Sequence, residues 1–167
     1  MMTSTIRLRQ ELKDLHKSAL LKSNGISVQL PSDSNIHLWN VNILAPKKSL
    51  YEAPIMIMIL FVTPGTTFKL EIILSQKYPF EPPKIVKFVH PIPYHLNVSQ
   101  SDGQVCIGLL KPDQWDPSTS CIESILNAIA VTLAQPQLDS YVDDDVNSIY
   151  LHNRRLYEEK ARCSVKK

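Results

Sequence analysis

The sequence predicts an α+β fold: an N-terminal helix, a four-stranded antiparallel meander sheet, a long irregular loop, then C-terminal helices. Three observations lead there. Apolar residues recur at helical spacing near both ends of the chain. Between them, in the first half, they alternate with polar residues as strands require. The prolines then concentrate, with seven of the twelve lying between Tyr78 and Pro117.

Leu8, Leu12, Leu15 and Ala19 form the stripe of the first helix, with Ser4 or Thr3 available as its cap. Arg7, Arg9, Glu11, Lys13 and Asp14 lie between them and read as a solvated face. Asn24-Gly25 ends the helical pattern, as glycine tolerates positive φ. Alternating runs over Ile26–Leu30, Trp39–Ile43 and Phe68–Ile72, with a shorter one over Ile85–Phe88, predict four strands. Pro31-Ser32-Asp33-Ser34-Asn35 is turn chemistry between the first two. Beyond the proline-rich loop, Ser120 and Glu123 have capping-box spacing. They precede an apolar stripe of Ile122, Ile125, Leu126, Ile129 and Leu133, which stops before Pro136. A last helix is expected from about Asp143 to Arg162. Acidic residues at its start and basic ones at its end match the helix dipole.

At 167 residues the chain has the length of a single domain, here residues 1–167. A net charge of +2 argues against nucleic-acid binding through massed phosphate contacts, and against a polybasic membrane adaptor. Only four glycines are present and no phosphate-cradling motif, so a nucleotide site is not expected. Cys106, Cys121 and Cys163 are odd in number and widely spaced, which speaks against a zinc centre or disulfide framework. The longest apolar run, Ile55–Val62, is well short of the ~18–20 residues of a membrane span. No secretory signal pattern follows Met1. These features fit a soluble protein of a reducing compartment, cytoplasmic and/or nuclear.

Four short motifs carry the chemistry. In order they are Tyr78-Pro79-Phe80-Glu81-Pro82-Pro83, His95-Leu96-Asn97, Gly103-Gln104-Val105-Cys106 and Trp115-Asp116-Pro117. Each is weak alone, since a lone cysteine is usually a small buried hydrophobe. Their order and spacing after the predicted strands resemble the ubiquitin-conjugating enzyme family. Arg7–Leu12, Gly25-Ile26, Trp39, Tyr51-Glu52 and Gly65–Leu70 extend the resemblance over nearly the whole chain.

The resemblance implies an enzyme that accepts ubiquitin from the activating enzyme as a thioester on Cys106 and passes it to a substrate lysine. Asn97 matches the motif asparagine, which either donates to the oxyanion or holds the loop. His95 is implied to be structural, hydrogen-bonding backbone. Asp139 and Ser140 fall where the family carries an acidic turn beside the cysteine; Ser140 is a candidate gate, a candidate phosphorylation site, or the cap of the following helix. Phe80, Pro117 and Ser118 match loops that meet a RING or HECT-type ligase, though Phe80 reads equally well as core packing. Arg7 and Arg9 lie on the helix presented to the activating enzyme. No cofactor is implied, since ATP is used by the activating enzyme, and neither nucleic acid nor membrane is an expected partner. The expected state is a monomer.

The chain departs from the family pattern in four places, one of them a loop from Asn97 to Cys106 that is one residue longer than the commonest form. Leu96 replaces the motif proline, so the loop is expected to be less pre-organised and Leu96→Pro neutral or mildly activating. Gly108 stands where an aspartate is common. About a dozen mostly apolar residues, roughly 53–64, are inserted between Tyr51-Glu52 and Gly65. A catalytically weak or inactive scaffold that binds ubiquitin or a ligase, and a conjugating enzyme for another ubiquitin-like modifier, stay open as alternatives.

Overall fold

The computed structural model describes residues 4–32, 35–52 and 66–165; the insertion at 53–64 lies outside them. Helix α1 spans Ser4–Lys17 and the short α2 spans Ala19–Ser23. The predicted single helix breaks at Ser18, whose backbone leaves helical angles and whose Oγ accepts the Leu21 N–H at 3.2 Å. The break rotates the stripe, so that Leu21 is buried and Ala19 is exposed. Gly25, at φ +64°, turns the chain into the sheet.

Strands β1 (Ile26–Gln29), β2 (Leu38–Leu44), β3 (Thr67–Ile73) and β4 (Ile85–Phe88) form the expected antiparallel meander, in the order β1-β2-β3-β4. Register places Val28 opposite Val41, Val41 opposite Leu70, and Leu70 opposite Phe88. One face therefore carries Trp39, Ile43, Phe68, Ile72 and Val86 into the core. The other face is polar, with Lys87 paired to Glu71 at 3.2 Å.

Helix α3 (Ile122–Ala134) lays its apolar stripe into the same core, with Ile122, Ile125, Leu126, Ile129 and Leu133 all buried. Its N-cap is Cys121 rather than Ser120: the Cys121 N–H donates to Ser124 Oγ at 3.0 Å. Glu123 instead accepts a hydrogen bond from Ser18 Oγ, joining α3 to the start of α2.

The expected last helix is two: α4 (Asp144–His152) and α5 (Arg154–Ser164). Asn153 between them leaves helical angles and accepts the Leu156 N–H at 3.1 Å, so it caps a new helix instead of continuing the old one. Asp143 caps α4, accepting from Asp145 N–H at 3.0 Å. A second, smaller apolar cluster of Leu96, Val146 and Tyr157 ties these helices to the long loop.

Glu11 overturns its reading as a solvated charge. It is only 7% exposed and sits at the junction of α1, α3 and the loop after β3. Its carboxylate accepts from Tyr78 Oη (2.8 and 2.9 Å), from the Ile122 N–H (2.9 Å) and from Arg7 Nε (2.6 Å). A buried carboxylate needs such donors, and here one is the unsatisfied N-terminus of α3. Arg7 is correspondingly half-buried and paired, not a plain surface charge, while Arg9 is exposed.

Candidate active site

Residues 94–106 leave β4 and return to it as an ordered loop. The Phe88 N–H donates to Gly103 O, and the Gly103 N–H to Ser99 O, at 2.8 and 2.9 Å. Gly103 holds φ +76°, and a Cβ there would lie 2.2 Å from the Phe88 carbonyl oxygen, so only glycine fits the turn. Val98 and Val105 bridge across the loop. This pairing brings the two ends together, and the Cys106 N–H donates to Asn97 O at 2.9 Å.

Cys106 is half-buried and lines an open cleft of about 640 Å³. Pro82, Leu110, Tyr141 and Val142 supply apolar walls, and Lys84 and Lys111 supply positive charge. The site places a half-buried cysteine on the wall of an open cleft lined by both apolar and charged side chains. Cys121 is half-buried at the head of α3, and Cys163 is exposed near the end of α5.

Asn97 is completely buried. Its Nδ2 donates to Gln137 O (2.7 Å) and Ser140 O (2.8 Å), and its Oδ1 accepts the Gln137 N–H (2.9 Å). Both amide hydrogens are thus committed to the backbone of the 137–140 turn, a geometry that favours the loop-holding role over the oxyanion donor. Ser140 enters this arrangement through its carbonyl. The residue is buried, and the α4 cap expected of it belongs to Asp143. Asp139, next to it in a short 3-10 turn (Leu138–Ser140), is exposed.

His95 is 1% exposed and its Nδ1 accepts the Asn97 N–H at 3.0 Å, which fixes that nitrogen as unprotonated. Burial pushes its pKa down to about 4, against a weaker upward pull from the Thr132 backbone. The ring is neutral at physiological pH, occupied by backbone, and its Nε2 has no partner in normal hydrogen-bond geometry among the described residues.

Leu96 does not leave the loop loose. Its side chain is wholly buried, its N–H donates to Tyr157 Oη at 3.2 Å, and its carbonyl accepts from the Val142 N–H at 3.1 Å. Gly108 begins a 3-10 turn (Gly108–Leu110), and a Cβ there would meet nothing within 4 Å among the described residues.

The other predicted residues gather elsewhere. Phe80 is 69% exposed, which removes the core-packing reading. Trp115 Nε1 donates to Pro79 O at 2.7 Å, so the Phe80 loop and the turn holding Pro117 and Ser118 lie side by side. Asp116 organises that turn by accepting from the Ser118 N–H (2.8 Å) and Oγ (2.7 Å), bonds that also lower its pKa. Sequence reasoning missed Glu11, Gln137 and Tyr157. The signal for Glu11 was present: it lies three residues after Leu8 and four before Leu15, inside the buried stripe. Tyr157 offered no such local signal.

The family model for ubiquitin-conjugating enzymes matches residues 7–165. The chain is 35% identical over 156 residues to the protein named "Probable ubiquitin-conjugating enzyme E2 L460" of Acanthamoeba polyphaga mimivirus, covering 93% of this chain and 88% of that one. It is 31% identical over 159 residues to ubiquitin-conjugating enzyme E2 T of Xenopus laevis, covering 93% and 72%. Among solved structures, the E2 domain of a Toxoplasma gondii ubiquitin conjugating enzyme superposes with a TM-score of 0.77 at 28% identity, covering 97% of this chain and 96% of that one.

Proposed function

This chain belongs to the ubiquitin-conjugating enzyme family, and on that premise we propose that Cys106 is the residue that carries ubiquitin. The Cys106 sulfur displaces the activating enzyme's cysteine thiolate from ubiquitin's C-terminal thioester carbonyl. A neutral lysine amine then attacks that carbonyl, expels Cys106 as thiolate and loses a proton, leaving an isopeptide bond. Thiol-thioester exchange needs little base assistance, because the thiol is intrinsically nucleophilic. Amine attack is the demanding step, since a lysine with an ordinary pKa of ~10.4 is almost wholly protonated at neutral pH. The single observation that carries the reading is Cys106: a half-buried thiol in an open cleft, its backbone bonded to Asn97 O.

Asn97 acts by fixing the 137–140 turn against the Cys106 loop, and neutral His95 supports Asn97 from below. The exposed Phe80, with Pro117 and Ser118 beside it, forms the ligase face for a RING or HECT-type domain. Arg9, and the part of Arg7 not engaged by Glu11, meet the activating enzyme. The chain works as a monomeric single catalytic core, cytoplasmic and/or nuclear, with no cofactor of its own. Incubation with activating enzyme, ATP and ubiquitin is expected to give an adduct that thiol reductants remove. Absence of an adduct, or charging only by a different ubiquitin-like protein, overturns the assignment to ubiquitin.

A further inference from the structure

Residues 94–97 are fastened to the C-terminal part of the chain at almost every step. The Tyr94 N–H donates to Ser164 Oγ at 3.1 Å, near the end of α5. The Leu96 N–H donates to Tyr157 Oη, and Leu96 O accepts from Val142. Asn97 closes the series on Gln137 and Ser140. Leu96 is thus one residue from the carbonyl that accepts the Cys106 N–H, and its own amide ends on the hydroxyl of a tyrosine in the first turn of α5. The tyrosine is rigidly held. It is wholly buried, its ring meets Tyr150 edge-on at 4.9 Å and Tyr94 at 5.7 Å, and Leu96 and Val146 pack with it. Burial also pushes its pKa up to about 12, so the hydroxyl stays neutral at any physiological pH.

We propose that Tyr157 is a positioning residue for the transfer step: through the Leu96 N–H it holds the Leu96-Asn97 backbone in the geometry that sets Cys106. The proposal deepens the functional reading above and rests on it. A proline at position 96 has no N–H and could not make this bond. In this chain the stiffness of the loop comes from α5 instead of from a fixed φ. Amine attack, which depends on orientation, is the step that feels the tether; thiol exchange is less demanding.

The test is a double-substitution cycle on the full chain, with charging and single-turnover discharge to free lysine measured separately. Tyr157→Phe keeps the ring contacts and removes the hydroxyl, which accepts from the Leu96 N–H and also interacts with the Tyr51 hydroxyl; the proline background separates the two. It is expected to leave charging within about twofold and to slow discharge roughly three- to tenfold, the range of one buried hydrogen bond. In a Leu96→Pro background, which has no N–H to lose, Tyr157→Phe is expected to add no further loss. Exchange of the Leu96 amide with solvent deuterium, followed by NMR, should quicken in Tyr157→Phe, and this arm stands even if the proline variant folds poorly. Wild-type discharge with unchanged Leu96 exchange overturns the proposal. So does an equal loss in charging and discharge, or a loss that persists undiminished in the proline background. If the unsubstituted chain forms no thioester, the functional reading fails, and the catalytic half of the proposal fails with it; the exchange arm then decides the tether alone.

Discussion

At the scale of single residues, His95 and Asn97 make separable contributions. His95 is neutral and buried, with its pKa held at about 4 against an ordinary 6.5. The unfolded chain therefore takes up a proton between those values that the folded chain refuses. Stability is full above pH 6.5 and falls as the pH drops towards 4, by roughly 3 kcal/mol in all. Chemical denaturation between pH 7 and 4.5 should show the slope, and His95→Gln, which keeps an acceptor but does not titrate, should flatten it. Asn97→Ala orphans three backbone groups of the 137–140 turn. It is expected to lower stability by ~1–3 kcal/mol while slowing discharge more than charging. An oxyanion donor with no structural duty would slow discharge and leave the melt unchanged. The glycines on either side of Cys106 should differ as well. Gly103→Ala forces a Cβ onto the Phe88 carbonyl at positive φ and should destabilise by at least ~1 kcal/mol, whereas Gly108→Asp enters open space and should leave the melt unchanged. That Cys106, Asn97 and His95 come together in one loop was legible from the order and spacing of their motifs. The partners of Asn97 were not, because they lie some 40 residues away and act through backbone atoms that any side chain would supply.

At the scale of elements, capping explains most differences between the expected and observed boundaries. The strands matched to within a residue or two because alternation reports directly which face meets the core. Helix breaks at Ser18 and Asn153 were missed because both residues are tolerated inside a helix, and their capping bonds become visible only in three dimensions. Asn153 followed three residues later by Leu156 has the offset of an N-cap and the amide it serves, yet no glycine or proline marks the break. Removing that cap with Asn153→Ala is expected to cost ~0.5–2 kcal/mol in thermal or chemical melts. Ser140→Ala, in contrast, should not act through a helix cap, since Asp143 supplies it. The β2–β3 ladder runs in register to Leu44 opposite Thr67, and the Ala45 N–H donates to Thr66 O at 2.7 Å. Among the described residues, the β2–β3 pairing thus reaches this end of both strands. Deleting that segment should leave a folded, soluble protein with an unchanged charging rate; an unfolded product would mean that the segment contributes to the sheet.

At the scale of the whole molecule, two sets of contacts divide the work. Arg7, Glu11 and Tyr78 link α1 to α3 and to the loop that presents Phe80. Leu96, Asn97, Val142 and Tyr157 link the Cys106 loop to the C-terminal helices. The α+β architecture and the position of the thiol were readable from patterning and motif order. The place of Glu11 inside the buried stripe of α1 was signalled by its spacing from Leu8 and Leu15, but its partners were not, and Tyr157 looks like an ordinary surface residue until burial is known. All of this converges on one sulfur. The most direct measurement is charging by activating enzyme, ATP and ubiquitin of the unsubstituted chain alongside Cys106→Ala, Cys121→Ser and Cys163→Ser, read by intact mass with and without reductant. The account predicts a reductant-sensitive ubiquitin adduct on every form except Cys106→Ala; an adduct that survives in Cys106→Ala would contradict it.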